Sequence, residues 1–168
     1  WSQVGTDLDG GAPGDHSGWS VALSADGYRV ATGAPGHDAG NGQVRIHYWV
    51  GASWTQVGSD LDREAASDYS GLSVAISADV NRVAAGAISH DNYKGQVRIF
   101  NWDGTTWNQV GSDLDGETSY DRSGWSIAMS AVGDRVAIGT ISHDSSKGYV
   151  SVHEEVCGLQ CLRAMRLL

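Results

Sequence analysis

The sequence repeats with a period of 53 residues, and this repeat constrains the fold more than any other feature. Trp1, Trp54 and Trp107 begin the segments WSQVGTDLD, WTQVGSDLD and WNQVGSDLD. Aligned without gaps, the first two copies agree at 31 of 53 positions, and the third agrees with the second at 27 of 47 positions. We therefore predict three copies of one structural unit followed by a tail outside the repeat. The copies are residues 1–53, 54–106 and 107–153, and the tail is residues 154–168.

Each copy has the alternating pattern of short β-strands and not the spacing of a helix. In the first copy, residues 20–24 alternate small polar and apolar side chains, as expected for a strand with two different faces. Asp26-Gly27 is a hairpin signal, and residues 29–34 and 43–49 predict the next two strands. Residues 54–58 predict a fourth strand. The unit is therefore predicted to be a four-stranded antiparallel meander.

A single four-stranded sheet cannot bury both of its faces, so neighbouring sheets are expected to stack. Small residues recur in each copy at the positions of Ala22, Ala31 and Gly33, which we assign to inner strands where sheets approach closely. Trp49 and Trp54 are expected to fill the wider outer space. The sequence thus predicts an all-β fold of β-propeller-type blades. Propellers close with four to eight blades, so three blades form an incomplete ring, part of a larger propeller or one completed by self-association.

Short motifs in each copy resemble the FG-GAP repeat, the blade unit of the integrin alpha-chain propeller. The first copy carries the segments Ser17–Ala22, Thr32–Pro35 and Gly42–Ile46, with counterparts in the other copies. Ser replaces the phenylalanine of the family motif before each glycine, and only the first copy keeps Gly-Ala-Pro. The resemblance covers residues 1–153. It implies an extracellular or cell-surface scaffold, not an enzyme, that binds a protein or glycan ligand in adhesion.

The resemblance also directs attention to calcium, which integrin-like blades hold in an acidic loop between their first two strands. The matching loops contain one aspartate each, Asp26, Asp79 and Asp134. Calcium takes six to eight oxygen ligands, so a hairpin turn is the favoured interpretation and calcium the alternative. We predict no other cofactor.

Two further motifs recur in all three copies. A His-Asp pair follows the second strand of each, and we name these pairs as the candidate binding residues because loops on one face of a blade ring are available to partners. They are His37, Asp38, His90, Asp91, His143 and Asp144. The favoured interpretation of the pairs themselves is a loop motif in which the aspartate accepts backbone N–H groups and the histidine packs at the blade edge. Asp15, Asp68 and Asp121, each two residues before Ser-Gly, predict a side-chain-stabilised turn leading into the inner strand.

Composition excludes several functions. The net charge of −9 leaves no basic surface for nucleic acid, and no apolar run is long enough to span a bilayer. Two alternatives to the scaffold stay open at this point. One is a propeller hydrolase or lyase whose site lies on further blades, and the other is a purely structural assembly repeat. The tail, which contains Cys157 and Cys161, could form a short amphipathic helix.

Overall fold

A computed structural model describes residues 1–62 and 67–156, and its regular structure is almost entirely β. The strands follow the sequence pattern closely, because successive side chains of a strand point to opposite faces of its sheet. The tail from residue 157 onward, with its predicted helix, lies outside the described residues. The strands are β1 (Ser20–Leu23), β2 (Arg29–Ala34), β3 (Gln43–Trp49), β4 (Trp54–Gln56), β5 (Leu61–Asp62), β6 (Ser70–Ile76), β7 (Arg82–Ala87), β8 (Gln96–Trp102), β9 (Trp107–Gln109), β10 (Leu114–Asp115), β11 (Ser123–Met129), β12 (Arg135–Thr140) and β13 (Tyr149–Glu154).

The strands form three antiparallel sheets, one for each copy of the repeat. The first has the order β1-β2-β3-β4, with β5 also pairing β3, and the second repeats this order with β6 to β10. The third has the order β11-β12-β13 among the described residues. The predicted all-β fold of stacked, blade-type meander sheets that do not close into a ring is therefore confirmed. The short strands β5 and β10 were not predicted.

The sheets stack face to face around apolar cores made from equivalent positions. Ala31, Val44 and Ile46 of the first sheet join Val74 and Val83 of the second in one buried cluster. The same positions one repeat later form a second cluster between the second and third sheets, composed of Ala84, Val97, Val136 and Ile138. Stacking therefore removes from water the face that each sheet cannot bury alone.

Small residues lie where the inner strands of neighbouring sheets come closest, as the sequence predicts. A Cβ atom at Gly33 would collide with the backbone carbonyl of Gly71 in the next sheet. Ser20 Oγ donates a 2.8 Å hydrogen bond to that carbonyl, and Ser73 Oγ donates one of 2.6 Å to the Gly124 carbonyl. The outer space holds tryptophans, with the rings of Trp102 and Trp107 5.2 Å apart, because the sheets diverge there.

The loops that follow the second strand of each repeat all lie at the same end of the stack. A single turn within each is helix-like in hydrogen bonding, at His37–Gly40, His90–Tyr93 and His143–Ser146. Three residues inside each turn have positive φ, for example 47° at Asp38, 58° at Ala39 and 91° at Gly40, so these turns are not regular helix. Within the described part of the chain no helix is long and apolar enough to cross a membrane.

Candidate functional site

Each repeat contains a histidine–aspartate contact that joins two motifs separated along the chain. His90 Nδ1 lies 3.0 Å from Asp68 Oδ2. His143 Nδ1 lies 3.1 Å from Asp121 Oδ2, and His37 Nδ1 lies 3.2 Å from Asp15 Oδ2. The first two are hydrogen bonds, whereas the His37 ring is less well aligned with its aspartate. The histidine of the His-Asp motif thus meets the aspartate of the Asp-x-Ser-Gly motif.

The three aspartates are buried, and Asp15 and Asp121 hold the turn that precedes their inner strand. Asp15 Oδ2 accepts a 2.9 Å hydrogen bond from the backbone N–H of Ala12, and Asp121 Oδ2 accepts one of 2.8 Å from that of Thr118. The backbone then closes on the loop, because the N–H of Gly36 donates to the Asp15 carbonyl at 3.1 Å. The carboxylate therefore organises two loop segments at once.

These contacts stabilise the ionised carboxylates. The adjacent His37 imidazole is the main cause that lowers the pKa of Asp15, and the Ala12 N–H adds to it. Burial acts to raise the pKa of Asp121. The hydrogen bonds from Thr118 and His143 outweigh burial, so the pKa of Asp121 is also lowered.

The second residue of each His-Asp motif lies at the tip of its loop. Asp38, Asp91 and Asp144 are exposed and have left-handed backbone conformations, with φ of 47°, 45° and 45°. Lys147 Nζ forms an ion pair with Asp144 Oδ2 at 2.5 Å, and the Asp38 carboxylate accepts a hydrogen bond from the Asn41 side chain. The six candidate residues therefore divide into partly buried histidines that support the loop and exposed carboxylates at its surface.

Three exposed tyrosines, which the sequence analysis did not select, lie beside these carboxylates. The rings of Tyr93 and Tyr120 are stacked, 5.8 Å apart with 12° between their planes, and the Arg122 guanidinium lies 5.8 Å from the Tyr93 ring centre. Tyr69 packs on Gly40 of the preceding loop. All three tyrosines occupy positions that differ between copies, which is the sequence signal that could have identified them.

The loops and the segments that contact them form one surface, which we call the loop face. It consists of residues 35–42, 88–95 and 141–148 together with residues 14–18, 67–71 and 120–124. Its parts are joined by backbone hydrogen bonds, such as the 3.0 Å bond from the Tyr69 N–H to the Gly40 carbonyl. The loop face therefore extends continuously across the three sheets.

The calcium candidates lie at the opposite end of the stack, in the hairpins between the first two strands. Asp26 accepts hydrogen bonds from Ser24 Oγ at 2.6 Å and from the Tyr28 N–H at 2.9 Å. Ser24 is the main cause that lowers the pKa of Asp26. Asp79 accepts the equivalent bond from Ser77 at 2.6 Å, and Asp134, two positions later in its hairpin, accepts one from Ser130 at 2.6 Å. Each carboxylate thus has a structural role in its turn, and residues 1–62 and 67–156 contain no group of three or more His, Cys, Asp or Glu side chains arranged for a metal ion.

Comparisons with known proteins identify no family for this chain. No protein-family model matches it, and no curated protein does. Among solved structures, it is similar to TolB from Acinetobacter baumannii, with a TM-score of 0.48 and 12% identity over 84% of this chain and 30% of that one. It is also similar to a protein named as a 6-phosphogluconolactonase from Bacteroides uniformis, with a TM-score of 0.47 and 15% identity over 83% of this chain and 41% of that one. The chain thus spans less than half the length of either structure, and similarity at this level carries no argument about function.

Proposed function

We propose that this chain is a non-enzymatic scaffold of FG-GAP-type propeller blades, belonging to a larger extracellular propeller, that binds a protein or glycan partner through its loop face. The observation that carries the proposal is the group of exposed tyrosines and carboxylates on loops held by buried Asp–His contacts. Three features of the loop face support it: rigidity, aromatic surface and charge.

Rigidity comes from the buried contacts beneath the surface residues. Asp68 accepts from His90, and the Asp68 carbonyl accepts a 3.3 Å hydrogen bond from the Ser89 N–H, directly before the loop tip at Asp91. A loop that is ordered before binding loses less conformational entropy on binding. The buried half of the motif therefore prepares the exposed half for contact.

Aromatic surface is the feature that favours recognition. Tyrosine is enriched at binding surfaces because its ring contributes apolar area while its hydroxyl stays hydrogen-bonded to water or a partner. Tyr93 and Tyr120 are stacked, so a partner meets two fixed rings instead of two freely rotating ones. Such a platform suits the apolar face of a sugar ring or a side chain of a protein.

Charge narrows the class of partner. The exposed carboxylates of Asp38, Asp91 and Asp144 lie on the loop face of a chain whose net charge is −9. Like charges repel across an interface and slow the encounter. We therefore expect a neutral or cationic partner.

Repetition of the Asp–His contact supports a binding role over a catalytic one. An active site usually combines several different groups around one reacting position. Here the same two groups recur in three sheets, and the buried aspartate is already engaged with backbone N–H groups in two of them. The contact is thus explained by support of the loop.

The test is binding of the fluorescently labelled chain to arrays of neutral and amino-sugar glycans and of extracellular proteins. The double substitution Tyr93→Ala with Tyr120→Ala should weaken binding to any retained probe about tenfold or more, because aromatic contacts dominate binding free energy. Tyr28→Ala is the matched control, since Tyr28 is equally exposed but lies in the Asp26 hairpin at the opposite end of the stack. Binding that the control weakens as much as the double substitution, or no binding to either array, would contradict the proposal.

A further inference from the structure

The two ends of the stack expose apolar side chains at positions that are buried inside it. On the outer face of the first sheet, Val21 is 64% exposed, whereas its equivalent Val74 in the second sheet is 8% exposed. On the outer face of the third sheet, Val150 is 69% exposed, whereas its equivalent Val44 in the first sheet is fully buried. The two end faces are therefore the two halves of the contact that already joins consecutive sheets.

The segment at the start of the chain has the sequence of the fourth, outermost strand of a sheet, the position of β4 and β9. It has no strand partner among the described residues. Trp1-Ser2-Gln3-Val4-Gly5 matches the segments that begin at β4 and β9. Gln3 Nε2 bonds Asp7 Oδ1 at 2.9 Å, as Gln56 bonds Asp60 at 2.5 Å in the first sheet. The segment thus already has the local hydrogen bond of an outer strand, while Trp1 is fully exposed.

The edge of β13 offers the place that such a strand would occupy. A groove of about 510 Å³ lies beside β13, between the second and third sheets. Its walls include Val110, Gly111 and Leu114 from the second sheet, and Val136 and His153 from the third. Among the described residues, β13 has β12 as its only strand neighbour.

The corresponding space between the first two sheets is filled by a tryptophan. Trp107 Nε1 donates a 3.0 Å hydrogen bond to the Val57 carbonyl, and its ring lies against Gly58. Trp54 makes the same bond, at 2.9 Å, to the Val4 carbonyl. One repeat further on, Val57 and Gly58 correspond to Val110 and Gly111, which line the groove. The groove therefore has the walls of a tryptophan site.

We propose that the chain associates head to tail with a second copy of itself, whose Trp1–Gln3 segment pairs with β13 and places Trp1 in this groove. The 53-residue offset gives the register. Because Phe100 pairs with Gln109 and Trp102 with Trp107, His153 pairs with Gln3 and Glu155 with Trp1 of the second copy. The apolar face at Val150 and Val152 then covers Val21 and Leu23 of the second copy.

Two side-chain hydrogen bonds join each sheet to the next one. The third sheet has the equivalent donor side chains, which lie at its outer face. Ser73 Oγ donates to the Gly124 carbonyl at 2.6 Å, and the equivalent donor of the third sheet, Ser126, is exposed. Arg82 Nη1 donates to the Gly133 carbonyl at 3.1 Å, and the equivalent Arg135 instead forms an exposed ion pair with Glu154. By the same offset, Ser126 and Arg135 reach the carbonyls of Gly18 and Gly27 of the second copy.

The junction joins two different surfaces, so it is heterologous. A heterologous contact produces a closed ring when the rotation between copies closes and an open filament when it does not. Variants blocked at one end distinguish this junction from a symmetric dimer, because a surface that meets itself is disrupted by only one of the two blocking substitutions. The inference concerns how the larger propeller of the proposed function is completed, and it does not use the loop face. A monomeric chain would therefore overturn it while leaving partner binding by the loop face to its own test.

The experiment is light scattering on the 168-residue chain after size exclusion, with variants that block one end at a time. The wild-type chain should have a mass that is a multiple of 17.7 kDa. Val21→Glu and Val152→Glu should each give the 17.7 kDa monomer, because every junction in either variant contains one blocked face. Mixed in equal amounts, the two variants should form a two-chain species and nothing larger, because only one junction can be made.

Two controls show whether loss of association comes from the blocked junction, from the added charge alone or from unfolding. Val50→Glu introduces the same charge at an exposed valine outside both end faces, and it should keep the wild-type mass. Circular dichroism confirms that each blocked variant is folded. The Trp1 side chain is fully exposed in its own chain, so Trp1→Ala should leave the fold intact. It should weaken association about tenfold or more, because it removes the side chain that fills the groove.

Several outcomes would overturn the inference. The first is that the wild-type chain is monomeric up to its highest soluble concentration. The second is that only one of the two blocked variants loses association. The third is that the mixed variants form no two-chain species. An unchanged mass and dissociation constant for Trp1→Ala would exclude the strand pairing.

Discussion

The imidazole of His90 bonds the carboxylate of Asp68 across 22 residues of sequence, and the same relationship recurs between His143 and Asp121. In each sheet the contact links the segment before the inner strand to the loop after the second strand. A charge-assisted hydrogen bond to a buried carboxylate is stronger than one between neutral groups. The contact is therefore a structural support whose removal has a measurable cost.

Replacing Asp68 tests this support. Asp68→Ala should lower the free energy of unfolding by about 2 kcal/mol, because it leaves the His90 ring without its buried acceptor. Asp91→Ala is the matched control, since Asp91 is exposed at the tip of the same loop and should change stability by at most about 0.5 kcal/mol. Urea unfolding followed by tryptophan fluorescence measures both. Equal effects of the two substitutions would contradict a supporting role.

The lowered pKa values of Asp15 and Asp121 predict how stability depends on pH. Both carboxyls have a folded-state pKa below their ordinary value of 3.8, so folding favours the ionised form. Their contribution is fully present above the ordinary value and is lost as pH falls through the folded value. The contribution of these two carboxyls to the urea midpoint should therefore be constant above about pH 5 and should fall below about pH 4.

Asp121→Asn should remove part of that acid-dependent loss. The variant should be less stable than the wild type by about 1–2 kcal/mol at neutral pH, because a charged acceptor is replaced by a neutral one. The difference should narrow as the wild-type carboxyl becomes protonated. A constant difference from pH 7 to pH 3 would show that the charge of Asp121 is not responsible.

The close approach of inner strands predicts that the same glycine-to-alanine substitution destabilises the fold at one repeat position more than at its equivalent in another sheet. Gly33→Ala should destabilise the fold by about 2 kcal/mol or more, since its Cβ would collide with the Gly71 backbone of the facing sheet. Gly139→Ala is the control, because the atoms nearest to its Cβ belong to Ser126 of its own sheet. Thermal unfolding of both in the Val21→Glu background keeps the head-to-tail junction out of the comparison. Equal losses in the two variants would argue against sheet contact as the cause.

The serine bonds between sheets make a related prediction. Ser73→Ala should cost about 1 kcal/mol, because it leaves the buried Gly124 carbonyl without its donor. Ser126→Ala should cost nothing in the same monomeric background, since its hydroxyl is exposed. In the wild-type background Ser126→Ala should instead weaken association of the chain. Chemical unfolding and light scattering measure the two effects separately.

Much of the fold was predictable from the repeat alone. The bounds of β2 and β3 agree with the sequence prediction, because Arg29–Ala34 and Gln43–Trp49 have clear ends marked by turn residues. The short strands β5 and β10 were missed because each is only two residues long, which is too short to show an alternating pattern. Leu61 pairs with Val44 only because the chain returns to the edge of β3 after β4.

The candidate site was only partly predictable. The sequence identified His90 and Asp91 as a pair because they are adjacent, and it assigned Asp68 to a separate turn motif. Their true relation depends on the inner strand and the loop meeting at one end of a sheet. The tyrosines were missed because a search for shared motifs passes over positions at which the copies differ.

The sequence by itself determined the unit, its strands and the requirement that sheets stack, because alternation and periodicity are local properties written into each copy. The tertiary structure decided which side chains meet. Asp68 reaches His90, Tyr120 reaches Tyr93, and the walls of a tryptophan site remain exposed beside β13. The physical reason is that these contacts join residues far apart in sequence, and only the packing of whole sheets brings them within a few ångströms.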